Sequence, residues 1–215
     1  MSLLVFDRKL DNRFQLIISV IDLTELYYRG FPILVKMNVP KWGQGNDHNC
    51  VPTCLKMVLE YLSDKHGEKI PRYSIKTIAR VIETKLDGTT PKKVEQLNAF
   101  LGKAIPSVEF ETGFMRTFPE ILNELNNERP VIVWINVRDP PEKLWHAVVL
   151  TGFDPNTNML YYNDPWDKSE KISEVGSFIH MWGIEARMVK VLIGKTHQRH
   201  IQEWTIAQPS EEQEQ

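Results

Sequence analysis

The sequence predicts an α+β fold, with a helical half first and an antiparallel sheet after it. Three observations predict it. Residues 50–62 carry Val51, Leu55, Val58, Leu59 and Leu62 at helical spacing, one buried stripe. Pro52 stands two residues after Cys50, and proline is tolerated in a helix only in its first turn, so that helix begins at 50–52. From residue 130 on, apolar runs of strand length follow one another across short turns, which favours antiparallel pairing.

Taken in order, residues 3–6 and 14–20 read as strands, with 10–12 as turn material between them. Residues 31–39 read as extended, bracketed by Pro32 and Pro40. Residues 1–39 thus form an N-terminal β extension before a main domain over 40–200. A polar loop is expected at 63–71 and a helix from Ser74 to about Lys85. Residues 87–91 (DGTTP) form a turn and then a helix start, since Thr90 can cap and Pro91 suits the first helical position. Val94, Leu97, Ala99 and Leu101 carry that helix to Gly102. Residues 107–111 alternate like a strand. Thr117, Phe118, Pro119 and Glu120 open another helix bearing Ile121, Leu122 and Leu125. The sheet half is 130–136 (PVIVWIN), 145–151 (WHAVVLT), 159–163 (MLYYN) and 187–193, with a loop at 139–141 and a turn at 152–158. The polar end, 208–215, reads as a disordered tail.

Composition narrows the function. The formal net charge is −2 with no basic block, which disfavours nucleic acid and acidic lipid as partners. The longest apolar run, 14–21, is too short for membrane insertion. It follows Arg8, Lys9 and Arg13 as a signal peptide would. Asp7, Asp11 and Asp22, with no small-residue cleavage site, argue instead for an ordinary strand. Cys50 and Cys54 lie one helical turn apart, a poor frame for a disulfide. Free thiols point to a reducing compartment, the cytoplasm.

The chemistry centres on Cys50. At the positive end of a buried helix, the dipole and unpaired N–H groups favour a thiolate over a thiol. A thiolate nucleophile needs a base that can also protonate the leaving group, and histidine suits because it titrates near neutrality. His146 begins an apolar strand and Asp164 follows the next one. In a hairpin the start of one strand lies beside the end of the next, so topology brings the two together. Gln44, six residues before Cys50, offers a side-chain amide on a loop that could fold back as an oxyanion donor.

Gln44, then Cys50–Val51–Pro52–Thr53, then residues 145–150 (WHAVVL), then Asn163–Asp164–Pro165 resembles the papain-clan cysteine peptidases. The match is to the double-glycine (bacteriocin-processing) peptidase family and its stand-alone relatives. Residues 88–91 before a helix and 129–134 before the histidine strand agree, so the resemblance spans about 40–185. It implies a papain-like fold, with the nucleophile's helical half packed on the sheet that carries histidine and aspartate. It also implies a peptide or protein substrate, with Cys50 as nucleophile, His146 as general base and acid, and Asp164 as its orienter. Gln44 and the Cys50 N–H would form the oxyanion hole. Two departures stand out: Val51 replaces the glycine usual after the nucleophile, and no transporter segments follow.

Other readings of the same residues remain. Cys54 reads as inert packing. Asp47, His48, Cys50 and Cys54 lack the second ligand pair of a zinc site, and the glycines lack phosphate-loop spacing, so no metal or cofactor is expected. Trp145, Trp166 and Trp182 carry no assigned role. A catalytically silent peptide-binding module and a thioester acyltransferase are the alternatives to hydrolysis on this fold.

Overall fold

The computed structural model describes residues 34–66, 70–102, 107–138 and 144–193, plus the backbone of two N-terminal strands. Outside the described residues lie the expected turn at 10–12, residues 14–16 of an expected strand, residues 31–33 of the expected extended segment, the loop at 139–141 and the tail at 208–215. Strands β1 (Ser2–Asp7) and β2 (Ile17–Asp22) pair antiparallel as a sheet of their own.

The helical half begins with α1 (Cys50–His66), which has Pro52 in its first turn as expected. Val51, Leu55, Val58, Leu59 and Leu62 are all buried. α1 continues through residues 63–66, where the sequence suggested a loop. Tertiary partners hold that last turn: Tyr61 Oη donates to the Glu128 carbonyl at 3.2 Å, and Lys65 pairs with the Glu128 carboxylate. α2 (Ile75–Val81) is capped by Ser74, whose hydroxyl accepts from the Thr77 N–H. It stops short of Lys85 because Glu83 turns to φ 50°. The helix expected over 91–102 is two pieces, α3 (Pro91–Val94) and α4 (Gln96–Leu101), broken at Glu95. Thr90 stands at the N-cap of α3 without a side-chain cap bond, and Ala99 is exposed. α5 (Phe118–Asn126) begins as expected, with Glu120 accepting from both the N–H and the hydroxyl of Thr117.

The sheet is antiparallel and holds seven strands. They are β3 (Val35–Lys36), β4 (Val108–Gly113), β5 (Val131–Asn136), β6 (Trp145–Asp154), β7 (Met159–Asp164), β8 (Ser169–Glu174) and β9 (Met188–Ile193). Their order is β4-β9-β5-β6-β7-β8, with β3 also on β6. β6 is longer than expected, because residues 152–154 are strand and not turn. β5 covers β6 only as far as Leu150, and β3 takes over at Gly152 and Phe153. A Cβ at Gly152 would stand 2.3 Å from the Val35 carbonyl oxygen, so the approach of β3 requires glycine there. β8 and the helix α6 (Val175–Trp182) are additions to the expected elements. Helices α1, α5 and α6 pack on β5 and β6, whose side chains are buried on both faces. No helix among the described residues is long and apolar enough to cross a membrane.

Candidate active site

α1 delivers the sulfur. Its first ladder bond runs from the Thr53 N–H to the Asn49 carbonyl, 3.0 Å. The N–H groups of Cys50 and Val51 precede that ladder, and Pro52 has none to leave unpaired. Val51 is wholly covered within the core, so the side chain that replaces glycine here presents no exposed surface beside the sulfur.

The hairpin of β6 and β7 delivers the imidazole. Val149 pairs with Asn163, so Asp164, the last residue of β7, falls opposite Val148 on the face that His146 shares, and residues 165–168 then turn the chain into β8. His146 Nε2 meets Asp164 Oδ1 at 2.7 Å. The same oxygen accepts the Trp166 backbone N–H at 2.9 Å, which fixes the carboxylate. The Trp166 indole packs edge-on against the imidazole, ring centres 5.4 Å apart at 75°. The Cys50 side chain is within hydrogen-bonding reach of the same ring. Cys50 and His146 are both nearly enclosed, 7% and 3% exposed, so their mutual contact is poorly screened by water.

Burial acts to lower the pKa of His146. The hydrogen bonds and charges of Asp164 and Cys50 outweigh it and raise that pKa from 6.5 to about 9. His146 therefore carries its proton through neutral pH.

Gln44 arrives by a different route. The Met37 N–H donates to the Thr151 carbonyl at 2.8 Å, Asn163 Nδ2 donates to the Val39 carbonyl at 2.9 Å, and the Gln44 N–H donates to the Pro165 carbonyl at 2.8 Å. Three bonds thus lead the chain along β6 and β7 to the loop that follows Asp164. Gly45, at φ 73°, turns the chain there. Gln44 is buried, and its Nε2 donates to the Asn46 carbonyl at 2.7 Å, leaving the second N–H of that amide free of the bond.

Cys54 faces elsewhere. Its thiol is fully buried and donates to the Ala147 carbonyl at 3.3 Å. Burial first, then the charges of Cys50 and Asp164, push its pKa well above the ordinary thiol value. Asp47, His48, Cys50 and Cys54 do not form a metal-binding group among the described residues. Trp166, which carries no role in the sequence reading, flanks the imidazole. Its position two residues after Asp164, in the turn that follows β7, was the available signal.

The sequence signature of the Peptidase_C39 like family matches residues 29–187, most of the chain. The chain belongs to the Peptidase_C39-like family. It is a cysteine peptidase-like hydrolase on a papain-like α+β fold, and membership implies peptide or protein substrates. Two solved structures share the fold. A protein of Bacillus anthracis described as a C39-like peptidase superposes with a TM-score of 0.60 at 17% identity, covering 76% of this chain and 99% of that one. The peptidase domain of Streptococcus ComA, a bi-functional ABC transporter involved in quorum sensing, gives a TM-score of 0.53 at 20% identity, covering 73% of this chain and 100% of that one. Among curated proteins, none matches the chain.

Proposed function

We propose that this family member cleaves peptide amide bonds through Cys50, His146 and Asp164, with Gln44 in the oxyanion hole. The observation that carries the reading is one imidazole bonded to Asp164 at 2.7 Å and in reach of the Cys50 sulfur. His146 holds the proton given up by Cys50, and the sulfur attacks the scissile carbonyl carbon. The carbonyl oxygen takes the negative charge. The second Gln44 N–H and the unladdered Cys50 N–H are donors suited to meet it. His146 then passes its proton to the leaving nitrogen, the C–N bond breaks, and an acyl-enzyme thioester remains. Water attacks the thioester carbon, losing a proton to His146, and the C–S bond breaks. Asp164 keeps the imidazole oriented and stabilises its charged form throughout. The two free thiols fit a reducing cytoplasm.

The test is cleavage of a complex peptide library by wild type and by Cys50→Ala, with intact-protein mass spectrometry of the quenched wild type. Cleavage by wild type alone, with a transient acyl adduct on the Cys50 peptide, is expected. Equal cleavage by both proteins overturns the reading.

A further inference from the structure

We infer that the substrate is an extended peptide with two carboxylate side chains two residues apart, held by Lys76 and Arg80 in a groove beside the nucleophile's loop. This rests on the peptidase reading above and deepens it to a substrate class.

The groove is open and encloses about 550 Å³. One wall is the loop that leads into Cys50, through Asn46, His48 and Asn49. The other is one face of α2 and the turn after it, through Lys76, Ala79, Arg80, Glu83 and Thr84. Asn49 is the residue bonded to the first turn of α1, so the groove adjoins the chain at Cys50 itself.

Charge in the groove is one-sided. Lys76 and Arg80 are exposed, and the ion pairs among the described residues include neither of them. Glu83, the acid among the lining residues, is paired with Lys93, and its charge is offset there. Two cations with no side-chain partner among the described residues thus face one groove walled by the nucleophile's loop.

Spacing selects the ligand's shape. Lys76 and Arg80 are four residues apart on a helix, about 6 Å along its axis. Side chains two apart on an extended peptide lie about 6.8 Å apart on one side. An Asp/Glu-x-Asp/Glu segment therefore meets both cations at once, whereas acids at adjacent positions point to opposite sides. His48 and the amides of Asn46 and Asn49 lie on the facing wall, where they can bond the peptide backbone.

The experiment uses full-length Cys50→Ala protein and fluorescein-labelled heptapeptides read by fluorescence polarisation at low salt. The probes are AAEAEAA, its neutral counterpart AAQAQAA, and the respaced AEAAEAA. AAEAEAA is expected to bind about tenfold tighter than AAQAQAA, as two exposed ion pairs would give. Most of that advantage should vanish in a protein that also carries Lys76→Gln and Arg80→Gln. AEAAEAA should bind more weakly than AAEAEAA. Equal binding of the acidic and neutral probes overturns the inference, and so does an acidic preference untouched by the double substitution. Equal binding of the two acidic spacings overturns the extended-peptide geometry and leaves a general anion sink. A parallel library digest by wild type separates the two readings. Cleavage without acidic preference sinks this inference alone, while specific binding with no cleavage sinks the peptidase reading alone.

Discussion

The first and second turns of α1 each carry a cysteine, and the two thiols meet different surroundings. Cys50, at the tip, faces an imidazole that is braced by a carboxylate and an indole. Cys54, one turn deeper, faces the backbone of β6 and gives its hydrogen to the Ala147 carbonyl. Helix position alone does not separate them, since both lie on one buried face of the same helix. What separates them is what the sheet brings opposite. The tip meets the open end of the β6–β7 hairpin, where side chains converge from three segments. One turn deeper the helix meets the ladder itself, where the thiol's hydrogen-bond partner is a backbone oxygen. The general lesson is that the surroundings of a helix-borne thiol are set by the facing element, with the helix terminus as a secondary aid.

The largest effect should come from deleting the Cys50 thiol. Cys50→Ala is expected to lower peptide cleavage by about 1,000-fold or more, while Cys54→Ala keeps activity within about threefold. Equal losses would erase the distinction between the two turns. Asp164→Asn should come next, with a loss on the order of 100-fold in cleavage. In the same variant the ring pKa, read from histidine NMR shifts, should fall from about 9 toward the ordinary 6.5. A ring that titrates unchanged without the carboxylate would show that Asp164 does not brace it.

pH sharpens the comparison further. The folded pKa of His146, about 9, lies above the unfolded 6.5. Protonation therefore favours the fold. That contribution is fully present below pH 6.5 and is lost as pH rises through 9, an effect on the order of 3 kcal/mol. Urea unfolding at pH 6 and at pH 10 should show the decline in wild type, and His146→Gln should flatten it. A wild type equally stable at both values contradicts the assigned shift. The smallest effect is that of Cys54→Ala on stability, about 1 kcal/mol for a lost buried thiol and its hydrogen bond. Urea midpoints measure it, and a cost above about 3 kcal/mol would mean that Cys54 does more than fill space.

Much of this was legible in the sequence, for local reasons. Pro52, Pro91 and Pro119 each mark a helix start that the structure contains, because proline tolerates only that position. The meeting of His146 and Asp164 followed from hairpin topology, which needs no knowledge of side-chain packing. β8 was not legible: its residues, SEKISE, are polar at an edge, and Ile172 is exposed. Its partner β7 defines it, through pairs such as Met159 with Glu174. α6 could have been found, since Val175, Phe178 and Trp182 are buried at helical spacing. The last turn of α1 depends on Glu128, 63 residues away from Lys65, and no local pattern announces such a partner. The path of Gln44 is likewise a product of long-range bonds, from backbone N–H groups to the Thr151 and Pro165 carbonyls and from the Asn163 side-chain amide to the Val39 carbonyl.

Alkylation of the native protein tests the contrast between the two turns most directly. Wild type is treated with iodoacetamide at about pH 6, and modification of each cysteine is followed by peptide mapping, with glutathione as the reference thiol. Cys50 should react at least about tenfold faster than glutathione, and Cys54 should stay unmodified until the protein unfolds. Cys50 reacting no faster than glutathione, or Cys54 reacting first, would contradict the account.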